Sequence, residues 1–191
     1  RFYMDGCEEY KNAVKEVYPE ATIQYDYFHI IQNIWKKLRK EVVERRRRIK
    51  KNAEEGKERG EAGWKWWKGL AKRVWENRGL ILKKPAKLTD EEKEKIESLE
   101  QQEDVVLRVR EFTKAIWGIF DESKTEAEAK EKLKSLRERP EVKAGNVYMK
   151  SVEFLEGRFD DMISYLRSPG MRRNSLSETG MRCLRRLEQG H

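Results

Sequence analysis

The chain has 191 residues, 43 Lys/Arg against 35 Asp/Glu, a formal charge of +8 and a pI of about 9.4, a size that suits one compact domain or a small core carrying one inserted subdomain. Six Trp, seven Tyr and six Phe exclude a disordered chain despite 41% charged residues, because disordered chains lack large apolar groups. Two cysteines, Cys7 and Cys183, exclude a disulfide scaffold or zinc framework, and no apolar run reaches the ~20 residues that span a bilayer or reads as a signal peptide, so a soluble intracellular protein is expected.

Arg1 to Asp5 reads as a short strand, and Gly6 to Tyr18 as a helix with Tyr10, Val14 and Val17 at helical spacing, stopped by Pro19. Ala21 to Asp26 reads as a second strand with Ala21, Ile23 and Tyr25 on one face. Strand, crossover helix and strand predict a right-handed parallel βαβ unit, with Asp5 and Asp26 at the C-terminal ends of neighbouring strands, where open α/β sheets place their sites. From Tyr27 onward only helical signals remain. A long helix from about Phe28 into Arg45-Arg46-Arg47-Arg48 carries Ile31, Ile34, Trp35, Leu38 and Val42 as its stripe. Lys50 to Gly63, with three glycines and many charges, reads as a mobile link or a frayed helix end.

Trp64, Trp67, Leu70, Ala71, Val74 and Trp75 form the next apolar face, with Trp66 off it, until Pro85. Thr89-Asp90-Glu91-Glu92 and Thr125-Glu126-Ala127-Glu128 match the capping box, in which Thr and Glu satisfy one another's neighbouring backbone donors. A helix from about Asp104 to Phe120 draws its buried face from Val105, Leu107, Val109, Phe112, Ile116 and Ile119, and a last long helix runs from about Asn146 to Leu166 before Ser168-Pro169-Gly170. The final helix begins near Ser175 and carries Leu176, Met181, Leu184 and Leu187. The fold class expected is mostly α with a small parallel β element.

Charge is unevenly placed. Lys36 to Arg59 holds twelve Lys/Arg against five Asp/Glu, Leu88 to Val142 eleven against sixteen, and Arg167 to His191 six against two. A polyanion would therefore follow the two basic ends rather than the acidic middle. Lys36, Lys37 and Arg39 on the first long helix are candidate phosphate contacts, as are Arg172, Arg173, Arg182, Arg185 and Arg186 around the last. The alternative for each is a solvated helix surface. Trp64, Trp66 and Trp67 offer flat rings for unpaired bases, or Trp64 and Trp67 are core and only Trp66 is not.

Four residues could carry the chemistry, with structural alternatives beside the functional ones. Asp5 either presents a carboxylate to a site or caps the helix after it. Asp26 can cap the long helix while His29, three residues on, projects from its first turn, and the two form a metal pair or a hydrogen-bonded support, or His29 is simply held by a backbone carbonyl. Glu178 lies in Ser175-Leu176-Ser177-Glu178, itself a capping box, so it either folds back to the Ser175 amide or serves as a ligand.

The order of these motifs resembles bacterial insertion-sequence transposases of the Asp-Asp-Glu class whose catalytic core is interrupted by a helical domain, a layout similar to that of Mutator-like transposases. Met4-Asp5-Gly6 through Tyr10 and Tyr18-Pro19-Glu20-Ala21 look like the strand bearing the second catalytic aspartate and the helix after it. Asp26-Tyr27-Phe28-His29 with Ile30-Ile31-Gln32-Asn33 looks like an Asp-His motif of that family, and Arg173-Asn174-Ser175 through Glu178 and Arg182 looks like the helix of the catalytic glutamate. The loop Leu80 to Leu88 joins the likeness.

The resemblance implies a partial ribonuclease-H-like core over residues 1–35, a helical insertion domain over 36–167 and a final core helix over 168–191. It implies Asp5 and Glu178 as catalytic metal ligands for a two-ion Mg2+ or Mn2+ site, and Asp26 and His29 as supporting residues. The family's first aspartate would stand before Arg1, so this chain is expected to be a transposase fragment inactive by itself. Its partners are expected to be DNA at transposon ends and further copies of the chain, with no membrane and no small-molecule substrate, in a bacterial or archaeal cytoplasm. The alternative is a non-catalytic helical module for DNA binding or dimerisation.

Overall fold

A computed structural model of the protein describes residues 2–4 and 8–167. Strand β1 (Phe2–Met4) and strand β2 (Ile23–Tyr25) pair in parallel, Phe2 opposite Ile23 and Met4 opposite Tyr25, across helix α1 (Glu8–Val17). The amide of Asp26 donates to the Met4 carbonyl at 2.7 Å and closes the ladder at its C-terminal end. All three residues of β2 are buried rather than alternating, as in a parallel strand covered on both faces. Its polar member, Gln24, is satisfied there: its Nε2 donates to the carbonyls of Tyr25 and Met162, and its Oε1 lies 2.7 Å from the Ser164 hydroxyl. The stripe on α1 is less used than its period suggests. Val14 packs on the core, whereas Tyr10 and Val17 are exposed.

Helix α2 (Tyr27–Glu58) is the spine of the molecule, 32 residues and about 48 Å long at 1.5 Å per residue. It runs unbroken to Glu58, so most of the stretch expected to be a mobile link or a frayed helix end, Lys50 to Gly63, is ordered helix, and only Arg59 to Gly63 leave it. Its buried stripe continues past Val42 with Ile49, Ala53 and Gly56, and small side chains there let helix α3 (Trp64–Glu76) approach closely. A Cβ on Gly56 would sit 3.6 Å from the Cβ of Trp64. On the outer face Lys50–Glu54 and Lys51–Glu55 pair at i,i+4. The reversal into α3 is made at Gly60, whose φ of +71° is the left-handed conformation that suits glycine.

A short helix α4 (Arg78–Ile81) and a 3-10 turn over Pro85–Lys87 lead to helix α5 (Asp90–Gln102). The Thr89 capping box is complete: its hydroxyl accepts from the Glu92 amide and Glu92 accepts from the Thr89 amide. Helix α6 (Asp104–Glu122) contributes more buried residues than any other described element, though Leu107 faces out. Helix α7 (Glu126–Arg137) starts at Thr125, which accepts from the Glu128 amide. Glu128 itself reaches one residue beyond the expected partner, to the amide of Lys124.

Helices α8 (Pro140–Ala144), α9 (Asn146–Glu156) and α10 (Phe159–Met162) and a 3-10 turn over Ser164–Arg167 complete the described chain. The single helix expected over Asn146 to Leu166 is thus divided, its first part ending at Gly157. Pro140 at the first turn and Gly145 between two helices make the α8–α9 corner; a Cβ on Gly145 would lie 2.6 Å from the Tyr148 ring. One hydrophobic cluster runs from Ile23 and Tyr25 through α2 and α6 to Met162 and Ile163. The architecture is mostly helical, wrapped about α2 and α6, with one two-stranded parallel sheet at the end where α2 begins.

Candidate nucleic-acid interface

Two features meet at the start of α2. The first is the corner formed by Asp26 and His29. Asp26 is the N-cap of α2: one carboxylate oxygen accepts from the Phe28 amide at 2.9 Å, and the other lies 3.7 Å from His29 Nε2, beyond hydrogen-bond reach. Asp26 thus caps α2, with His29 beside it on the first turn. The corner rests on a firm floor. The Tyr25 hydroxyl donates to Glu8 at 2.9 Å, and burial, with Glu8 adding to it, pushes that phenol well above its usual pKa.

The second feature is a groove of about 380 Å³ running along α2 from Phe28. Phe28, Gln32, Trp35, Lys36 and Arg39 recur at helical spacing on one face of α2 and form one wall. The loop after α4 supplies Leu82, Lys84 and Lys87, and α6 supplies Trp117. Trp35 and Trp117 meet edge to face with centroids 6.1 Å apart. Lys84 lies 4.8 Å from the Trp117 ring centre and is paired with Asp121 at 2.5 Å. Lys36, Arg39 and Lys87 have no carboxylate partner among the described residues, and the buried Nε1 of Trp117 has no acceptor.

The loop holding Lys84 and Lys87 is pinned from inside by Arg110, which is 2% exposed. Its Nη1 donates to the carbonyls of Ile81 at 3.2 Å and Lys83 at 2.7 Å, while Nε lies 3.5 Å from Glu100. Burial lowers the pKa of this guanidinium and Glu100 opposes the shift; arginine keeps its charge in proteins, so Arg110 is a fixed cation that positions the loop. Lys83 is tied to Glu92 at 2.6 Å, which brings the α5 capping box into the same support.

Of the basic residues singled out in the sequence, Lys36 and Arg39 thus share the groove. Lys37 turns away and sits 5.0 Å over the Phe154 ring. Trp64 and Trp67, expected in the core, are half-buried and exposed respectively: Trp67 is 37% exposed and pairs edge-on with Trp66, which is 48% exposed. Asp5, Glu178, Arg172, Arg173, Arg182, Arg185 and Arg186, with the final helix expected near Ser175, lie outside the described residues. Sequence reading missed Lys84, Lys87 and Arg110. Arg110 carried a signal, since it falls within the apolar spacing of Val106, Val109, Thr113 and Trp117.

Cations without carboxylate partners beside aromatic faces are the chemistry that proteins handling nucleic acid present to their polyanion. The family model described as "Transposase", that of the ISL3 group, matches residues 1–181, and the chain belongs to that transposase family. No curated protein and no solved structure matches the chain.

Proposed function

We propose that this chain is the later part of the catalytic domain of a DNA transposase of the Asp-Asp-Glu class, which cuts and joins DNA strands at transposon ends by metal-dependent phosphoryl transfer. The reading is supported above all by the extent of the family match, which takes in both Asp5 and Glu178. The parallel β1–α1–β2 unit agrees with it. Met4 pairs with Tyr25, and in the sequence Asp5 follows the one and Asp26 the other. On this reading residues 1–35 belong to a ribonuclease-H-like core, 36–167 form a helical insertion of the Mutator-like layout, and 168–191 return to the core.

The described residues contain no group of three or more His, Cys, Asp or Glu able to hold a metal ion. Asp26 gives one oxygen to its cap. Metal binding is therefore proposed for Asp5 and Glu178, whose carboxylates are the hard oxygen donors that Mg2+ or Mn2+ takes; Asp26 and His29 support the corner. Bound ions of this kind activate an attacking hydroxyl and stabilise the leaving oxygen.

Titrating Mn2+ into the 191-residue chain, read by the enhanced relaxation of water protons, tests the assignment. Binding should be lost when Asp5→Asn and Glu178→Gln are combined and kept in His29→Gln. Equal Mn2+ binding by the wild type and the double variant would remove these residues from the metal site and favour the non-catalytic DNA-binding module.

A further inference from the structure

We infer that the groove between α2, the Leu82–Lys87 loop and α6 is a site for single-stranded DNA, stacking an unpaired base on the open Phe28 ring at its rim with the flanking phosphates on Lys36, Arg39 and Lys87. The inference rests on the transposase reading and specifies which face of the chain meets DNA and in which form. Three observations carry it. The three cations have no carboxylate partner among the described residues, so their field is available to an anion. They line a recess with Phe28, Trp35 and Trp117, not a flat helix face. Phe28 at the rim is 47% exposed, so its ring offers a face on which an unpaired base can stack.

The aromatic character decides between strand states. A duplex stacks its base faces inward and offers a protein only base edges and phosphates. An unpaired base has two free faces that stack on aromatic rings, and such stacking tolerates any base. The groove also begins at Phe28, whose ring lies beside His29 with centroids 6.2 Å apart. A strand seated there would pass directly over the Asp26–His29 corner.

The test uses the full chain and three probes of about ten nucleotides: oligothymidylate, the same backbone with abasic sites, and a duplex. Binding is read by anisotropy of a labelled probe and by quenching of tryptophan fluorescence. Oligothymidylate should bind at least about fivefold more tightly than the abasic strand, with quenching, and Phe28→Ala, at a rim residue 47% exposed, should reduce that ratio. Combining Lys36→Gln, Arg39→Gln and Lys87→Gln should lower the slope of log K against log salt by about 2, since each single-strand phosphate contact contributes roughly 0.7. Circular dichroism confirms that these surface variants are folded.

Equal affinity for thymidylate and abasic strands, or an unchanged salt slope in the triple variant, would overturn the groove. Strong duplex binding without single-strand binding would overturn it too while leaving the transposase reading in place. Loss of Mn2+ binding in the Asp5/Glu178 variant is independent of all three probes, so failure of the groove and failure of the catalytic assignment are distinguishable.

Discussion

The first half of α2 carries four Lys/Arg and the second half seven, and the two halves use them differently. In the second half five of the seven are engaged within the protein: Arg45 pairs with buried Glu103 at 2.8 Å, Arg46 lies 5.1 Å over Trp75, Lys50 and Lys51 pair with Glu54 and Glu55, and Lys57 faces Trp64. In the first half Lys36 and Arg39 face a groove with no carboxylate to meet them among the described residues. The run Arg45 to Arg48 is the most conspicuous basic feature of the sequence, yet part of it cements the α2–α3 hairpin. Charge density along a chain therefore does not locate the charge that is available to a ligand. The opposing surface decides.

The largest expected effect comes from the groove half. Arg110→Met would leave Glu100 and the carbonyls of Ile81 and Lys83 without their buried cation. A loss on the order of 3–5 kcal/mol is expected, read as a fall in the urea midpoint at constant m-value. A loss under about 1 kcal/mol would mean that the Lys84–Lys87 loop holds itself, and that the groove is less fixed than the hairpin.

Next comes the hairpin half. Ile49 is fully buried, and Ile49→Ala should cost about 2–5 kcal/mol by the same measurement. A change within about 0.5 kcal/mol, the range of ordinary surface substitutions, would restore the picture of a mobile link after Arg48 and end the contrast between two packed halves.

What could be read from the sequence was what is local. The Thr89 capping box depends on four consecutive residues and formed in full, and Asp26 caps α2 for the same reason. The period of α2 placed Lys36 and Arg39 on one face, three residues apart. Other features needed the third dimension. Lys50 to Gly63 resembled a link because its apolar stripe narrows to Ala53 and Gly56, residues chosen for the close approach of α3 and not for hydrophobicity. Trp67 shares its helical face with Leu70 and Val74 but lies beyond the edge of what α2 covers, and a period cannot say where coverage stops. Lys84 and Lys87 reach the groove only because Arg110, 23 residues or more further along, holds their loop by its carbonyls.

The smallest expected effect tests the contrast most directly. Lys50→Gln and Lys51→Gln remove two exposed i,i+4 pairs from the hairpin half, each worth about 0.3–0.5 kcal/mol. Stability should fall by no more than about 1 kcal/mol for the two together, and the salt slope of single-strand binding should remain at the wild-type value, because these two lysines face Glu54 and Glu55 and do not line the groove. Removing Lys36, Arg39 and Lys87 takes away three charges where this pair takes away two, so a purely global field would lower the slope in roughly that proportion. A slope that falls by about 1.4 in the Lys50/Lys51 variant would show that total charge governs the encounter with DNA and that location on α2 does not. An unchanged slope there, with a fall of about 2 in the groove variant, assigns the contact to the first half of the helix.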